Sequence, residues 1–592
     1  MDPSRRRNLT LIAALTLLAP PARALDVRTR YEDELCARAL ARHGLVLDPS
    51  PDGKRIERIV LAGQDVILPG DFPLSSKIPW TLANYLHVRT RDEVIARELL
   101  FSVGDAYRAD VVDETGRNLR RLLASILSVA RIVAARGTAP DRVVVVVVVK
   151  DLWSLRLNSE FTLDQGRLDF LSLSLAENNV AGRNKFLALS FTLDPGRYAP
   201  GLNWLDQRIL GSRHFLRAAG ALYVARDGRG LDGGALSITV GRPLFSLRTE
   251  WAWEARAFYA REKVRVFRGG EINRRCIGGD ARMGCAGGVP VPEIYGHEEW
   301  IGTLQATRSW GLLHKTNLGV GVRASSVANT LTDELAAISP EAQAGFRALL
   351  PRSESAAGPF VSLATFRAEF VRLRNIDTFA LTEDFRVGPE LTVEARYASP
   401  YLALGSHFLE LAATYGHLVV ARDNLLSFSA TLRARVQPGV LEGATLVNEE
   451  VAASVRNVTP PFGPFRLHVA ARVRFRHHDL DQLRLGLGSS NGMRAFAPRG
   501  LIGNNLYVVN VELRTLPLNL WTIHVGAVAF YDGGDAPANW QTFGWHHGAG
   551  VGLRILLPQF NRQVIRLDLA FPFETTGGAW VPRFSAEFGQ AF

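Results

Sequence analysis

Residues 466–476 read Arg-Leu-His-Val-Ala-Ala-Arg-Val-Arg-Phe-Arg. Leu467, Val469, Ala471, Val473 and Phe475 fall on one parity; Arg466, His468, Arg472, Arg474 and Arg476 fall on the other. A period of two is the signature of an extended strand with one apolar and one polar face. Residues 565–573, IRLDLAFPF, repeat it, with Leu567, Leu569 and Phe571 against Arg566 and Asp568. The last residues do so again, with Phe584, Ala586, Phe588 and Phe592 against Arg583, Ser585 and Glu587. Alternation of this kind runs from about residue 153 to the end, a stretch of strands and turns with aromatic residues near segment ends.

A soluble sandwich also alternates, with its polar face in water. The N-terminus argues for another solvent. Arg5, Arg6 and Arg7 precede the apolar run Leu9–Ala19, which ends in Ala22-Arg23-Ala24. That is the layout of a secretory signal peptide with cleavage after Ala24, and the run is too short to cross a bilayer as a helix. The mature chain is therefore expected outside the cytoplasm. A chain that enters an outer membrane without apolar helices must satisfy its backbone groups in a closed barrel. The expected fold is mainly β: a transmembrane antiparallel barrel of about sixteen or more strands over 153–592. Residues 374–405 and 424–456 divide badly into strands.

Residues 53–152 have a different rhythm. RIERIVLAGQDVI is a strand candidate, and Thr90-x-x-Glu93 reads as a capping box opening a helix through Leu99 and Leu100. Val112, Thr115, Leu119 and Leu122 share one helical face. The valine run Val143–Val149 is either a strand buried on both faces or an aggregation hazard. The order strand, helix, helix, strand predicts a small α+β domain with helices on one face of a sheet. Residues 25–52 read as a helical or extended lead-in, with Cys36 a buried thiol in a short helix.

With 69 Lys and Arg against 58 Asp and Glu the net charge is +11. This suits anionic lipid head groups; no basic run interleaved with aromatics supports nucleic-acid binding. Two long insertions, 267–298 and 328–358, interrupt the barrel pattern and are placed on its outer side, the second holding a short helix in PEAQAGFRALL. Cys276 and Cys285 can close a disulfide ring in the first. His477-His478 and His546-His547 suggest a metal, but strand neighbours point to opposite faces, so no metal site is expected. No Ser/His/Asp order stands out, and neither an enzyme nor a cofactor is expected.

Several stretches resemble the BamA/TamA outer-membrane assembly superfamily: RAFAPRGLIGNNLYVVNVELR (494–514), FYDGGDA (530–536), GAGVGLRILLP (548–558), IRLDLAFPF (565–573) and FSAEFGQAF (584–592). ENNVAGRNKFLALSF (177–191) is similar to an early barrel hairpin of that group, and LLFSVGDAY (99–107) to its periplasmic POTRA module. The resemblance implies a bacterial outer-membrane barrel with its N-terminal domain in the periplasm. It also implies a loop folded back into the lumen, with Arg494 and Phe496 at the arginine and aromatic positions of the family's motif. Glu512 and Asp532 match the acidic partners of that arginine, Asp532 being expected two strands after Glu512; Phe588 and Phe592 form the C-terminal strand signal. The family's glycine is Ala495 here. A single POTRA-like unit points to an accessory member.

The function implied is assistance to the assembly, insertion or translocation of outer-membrane proteins. Its partners are then membrane lipid, unfolded client proteins, and periplasmic or inner-membrane accessory proteins. The alternatives are a passive pore or structural barrel without insertase activity, and two-partner secretion of one dedicated exoprotein.

Overall fold

The computed structural model describes residues 30–590 except 69–83, 86, 165–166, 195, 227, 229, 269–270, 280–284, 380, 403–406, 482–483, 521–522, 540–541 and 575–581. The expected signal peptide and Phe592 lie outside the described residues.

The valine run forms the centre of the N-terminal unit. Strand β1 (Arg55–Gln64) pairs in parallel with β3 (Arg142–Asp151), and β2 (Leu127–Arg136) pairs with β3 from the other side, antiparallel. Helix α1 (Arg30–Arg42) lies against one face; α2 (Asp92–Ala96) and α3 (Ala109–Leu122) lie against the other. Val144, Val146 and Val148 therefore meet Leu35, Cys36 and Ala39, while Val147 and Val149 meet Val94, Ile95 and Leu119. A strand covered on both faces needs no alternation, which is why its sequence is continuously apolar.

Three expectations for this domain are corrected. Helices cover both faces of the sheet rather than one, because α1 from the lead-in segment closes the second face. Residues 127–136, unassigned from sequence, supply a third strand. The capping box is absent: α2 starts after Arg91 without a side-chain cap. The Thr90 hydroxyl instead accepts from Asn179 Nδ2 at 3.0 Å, and its N–H donates to Asp151 at 2.9 Å.

Twenty strands close the barrel. In chain order they are β4 (Leu155–Asp164), β5 (Arg167–Glu177), β6 (Lys185–Leu193), β7 (Arg197–Asp206), β8 (Phe215–Ala225), β9 (Leu231–Arg242) and β10 (Trp251–Arg265). There follow β11 (Ile294–Trp310), β12 (His314–Thr330), β13 (Glu354–Arg367, resuming at Glu369–Leu373), β14 (Glu383–Ala398), β15 (Phe408–Ala421) and β16 (Asn424–Leu441). The circuit ends with β17 (Ala444–Val458), β18 (Phe465–His477), β19 (Leu506–Thr515, resuming at Leu518–Leu520), β20 (Ile523–Asp535), β21 (His546–Leu556), β22 (Ile565–Pro572) and β23 (Arg583–Phe588). Every barrel pairing is antiparallel, and β23 returns to β4. Twenty lies within the expected sixteen or more; residues 424–456 divide badly in sequence because β16 and β17 are joined by only Glu442 and Gly443.

Alternation acquires a direction here. Leu304, Val320, Val322, Leu432 and Val551 stand exposed on the outer wall. Arg466, His468, Asn510, Glu512, Arg554 and Asp568 are buried inside. Trp300 and Trp310 both stand exposed on β11. Ten residues of a strand tilted by about 40° rise about 25 Å, the height of a membrane barrel's apolar band. No helix among the described residues is long and apolar enough to cross a membrane.

A barrel of this size leaves a wide lumen unless something fills it. The N-terminal domain covers one end. Arg120 grips Asp384 of β14 through Nε and Nη2 at 2.6 and 2.8 Å. Glu98 receives Arg208 at 2.7 and 2.6 Å and Arg213 at 3.0 Å, both from the β7–β8 connection. Arg562, between β21 and β22, donates to the Ser128 carbonyl at 3.0 Å. At the opposite end the two long insertions pack together, Val291 from the first against Leu335, Ala342 and Phe346 from the second. The second contains helix α4 (Pro340–Arg347), and the first holds the Cys276–Cys285 disulfide.

Cys36 is the free thiol of the chain and is buried under the sheet, where desolvation pushes its pKa up to about 11. It should resist alkylation at pH 8 in the native protein. Val146→Asp, which places an unpaired carboxylate between sheet and helix at a cost of several kcal/mol, should make it react. Rapid labelling of the unmutated native protein would contradict this packing.

Candidate functional site

The connection between β18 and β19, residues 478–505, is the long loop that turns inward. A short pairing of Leu485–Leu487 with Leu501–Gly503 forms its stem. Leu487 and Met493 pack with Val508 of β19 and Ala536, with Phe496 against the same group. Gly492 turns the backbone at φ +114°, and a Cβ there would meet the Arg472 guanidinium.

Arg494 is carried to the inner wall and is 2% exposed. Its Nε and Nη2 engage the two oxygens of Asp532 at 2.8 and 2.7 Å, a bidentate fork, and its own N–H donates to Asp532 at 3.2 Å. Nη1 donates to Glu512 and stands 3.6 Å from Asp568. The guanidinium also lies over the Phe530 ring, 3.5 Å from its centroid. The structure thus brings Arg494, Glu512 and Asp532 together. One detail is corrected: Asp532 lies on the very next strand, β20, as the cross-strand partner of Asn510. Asn510 holds it in place, donating from Nδ2 to Asp532 at 2.7 Å and to the Gly492 carbonyl at 2.7 Å.

Sequence reading missed the rest of the cluster. Arg514 donates to Glu512 at 2.6 Å, and Arg554 of β21 reaches Asp568 of β22 at 2.5 Å. Arg566 lies 3.5 Å from Asp568 and donates to Glu587 on the final strand. Four guanidiniums thus meet four carboxylates across five consecutive strands. The inward parity of Arg514, Arg554, Arg566, Asp568 and Glu587 was readable; which of them meet was not, because that depends on register.

Ala495 stands at a negative φ, so the methyl at this position brings no left-handed strain. Its side chain packs against Gly548 of β21, where a Cβ would approach that methyl to 2.5 Å. The Ala495 carbonyl accepts from Arg583 at 3.2 Å. Phe496 meets the His546 ring edge-to-face at 5.9 Å. Phe588 ends β23 opposite Ile565.

The histidine pairs differ. His546 and His547 diverge as expected, toward Glu574 and Tyr531. His477 and His478 do not: both rings face Glu449. The divergence expected of strand neighbours fails there because β18 ends at His477.

Among the described residues the lumen holds two sizeable spaces that bear on the site. One of about 940 Å³ lies under the insertions and is lined by Arg323, Arg396, Arg433, Arg435, Arg484 and Arg499 among others. The other, about 680 Å³, lies between α3 and the barrel wall.

No protein-family model matches the chain, and no curated protein matches it. Among solved structures the fold is similar to CdiB from Escherichia coli, at 11% identity over 99% of this chain and 96% of that one, with a TM-score of 0.44. It is also similar to CdiB from Acinetobacter baumannii (12%, 92% and 78%, TM-score 0.38). BamA from Haemophilus ducreyi lacking POTRA domains 1–3 gives 12%, 95% and 92%, with a TM-score of 0.33.

Removing Arg494 leaves buried Asp532 without a cation, while Glu512 keeps Arg514, a loss of about 3–5 kcal/mol. Arg494→Ala should lower the temperature at which the folded band converts on a heat-modifiability gel and raise ion leakage in planar bilayers. Arg494→Lys, which keeps the charge but not the fork, should fall between. An unchanged conversion temperature for Arg494→Ala would remove the cluster's structural role.

Proposed function

We propose that the chain is a bacterial outer-membrane barrel with a periplasmic POTRA-like domain, and that it assists assembly or translocation of other β-rich proteins. The observation that carries this reading is the seam. Among the described residues β23 meets β4 only where Phe584, Ser585 and Ala586 oppose Leu163, Thr162 and Phe161. On its other side β4 is paired with β5 from Leu155 to Asp164. Toward the N-terminal domain, then, the β4 edge from Leu155 to Glu160 carries no strand partner among the described residues. Barrels exist to remove such edges, and an unpaired one is a template for an incoming strand.

The N-terminal domain offers a second edge. β3 is central, and the outer side of β2 is partly covered by residues 46–48, with Asp48 N–H donating to the Ala134 carbonyl at 3.0 Å. The outer side of β1 from Ile59 to Gln64 has no backbone partner among the described residues. An extended client could add there before passing to the seam. The domain seated on one mouth and the loop of Arg494 inside the lumen both argue against a passive pore. Two-partner secretion uses the same parts and differs in client.

Phe161→Cys with Ala586→Cys places two thiols across directly opposed, closely spaced residues. Oxidation should stop client assembly in a strain dependent on this protein, and reduction should restore it, while the unmutated protein stays indifferent to both. Full function of the oxidised form would show that the seam need not open. Depleting the protein separates the classes: loss of many folded barrels supports assembly, loss of one secreted protein supports two-partner secretion, and loss of solute uptake alone supports a pore.

A further inference from the structure

The convergence of His477 and His478 is not explained by the barrel. His478 adopts φ +45°, in the left-handed region that a side chain rarely occupies, and this swings its ring to the side of its neighbour. Across the strand pair Asn448 does the same at φ +50°, and its N–H donates to the His478 carbonyl at 2.9 Å. Glu449 follows Asn448 and opposes His477 in register. The result is that His477 Nδ1 and His478 Nδ1 lie 2.8 and 3.0 Å from one oxygen of Glu449. The three donor atoms fall within 4.8 Å of one another.

We propose that Glu449, His477 and His478 form a site for a divalent transition metal of the zinc type, at the barrel end away from the N-terminal domain. Two imidazole nitrogens and a carboxylate are a borderline-soft set that suits zinc and its neighbours, whereas calcium and magnesium take oxygen ligands. With metal–ligand bonds of about 2.1 Å, donors around a tetrahedral ion stand about 3.4 Å apart, so small outward shifts admit the ion. A fourth position is left for water. The donors are open to solution: the His477, His478 and Glu449 side chains are 62%, 34% and 31% exposed. The nearby arginines are directed elsewhere, Arg474 to Glu450 at 3.3 Å and Arg476 to Asp479 at 3.2 Å. His546 offers no such site, because its two nitrogens face Glu574 and Asp535 separately.

The position gives the ion a structural task. It would tie the end of β18 to β17 at the root of the loop that carries Arg494 inward. Because it is formed by side chains outside the ionic cluster and the seam, it stands or falls apart from the assembly reading.

The test uses the untagged, detergent-solubilised full chain titrated with Zn²⁺ by calorimetry, and with Co²⁺ by visible absorption. One ion per chain should bind, with Co²⁺ showing the bands of a four- or five-coordinate site. His477→Ala, His478→Ala and Glu449→Gln should each weaken binding by more than the roughly 10–100-fold typical of losing an outer-shell partner. His546→Ala should leave binding unchanged. In the unmutated protein, Zn²⁺ should shield His477 and His478 from diethyl pyrocarbonate, read by mass spectrometry, so the answer does not depend on variants folding. Absence of stoichiometric binding, binding that survives the double histidine substitution, or no shielding overturns the proposal.

Discussion

An arginine that is 2% exposed inside a barrel must be matched by negative charge, and the last five strands are arranged around that requirement. Arg494 reaches the wall only because a loop of 28 residues between β18 and β19 folds inward. Once there it is held by Asp532 and Glu512 from adjacent strands. Glu512 is shared with Arg514 and Arg554, and the chain of charges continues through Asp568 and Arg566 to Glu587 on the last strand. The position of the loop and that of β23 therefore belong to one ionic network. This matters because, among the described residues, β23 pairs with β4 at three positions against six with β22. Its place is set largely by β22 and by the Arg566–Glu587 pair, so the seam is held from one side more than the other.

The N-terminal domain solves a second problem. Twenty strands enclose more space than side chains can fill, and an open lumen would leak. The domain contributes Glu98, Arg120 and Ser128 to contacts with barrel residues far apart in sequence, and so caps one mouth in part with ion pairs. These pairs are largely shielded from water, with the Arg120 and Asp384 side chains 7% and 15% exposed and those of Arg208 and Glu98 12% and 5%, so removing one partner would leave a buried charge. The valine strand keeps the domain rigid, because each face of that strand has its own helical cover.

Much of this was legible in advance. Period-two alternation over residues 466–476 says which side chains of that strand face inward, and the same alternation over 510–514 sets Asn510, Glu512 and Arg514 on one face against Val511 and Leu513. The valine run was read as doubly covered or hazardous, and α1 decides for the first. What was not legible depended on contacts between distant segments. Thr90 looked like a helix cap until Asn179, from a barrel turn, took its hydroxyl. The two-residue turn between β16 and β17 explains why residues 424–456 divide badly into strands from sequence. His477 and His478 were judged by ideal strand geometry, and a single left-handed residue reversed the outcome. Alternation sets Arg566 and Asp568 on the polar face of their strand, but only register brings Arg554 of the neighbouring strand to Asp568.

The most direct test of the barrel is a nitroxide scan along β18 in lipid bilayers, in a background lacking Cys36. Labels at 467, 469, 471, 473 and 475 should be relaxed by oxygen dissolved in the bilayer, and labels at 466, 468, 472, 474 and 476 should not. Loss of the period of two, or the opposite phase, would contradict a cylinder with an apolar exterior and an ionic interior.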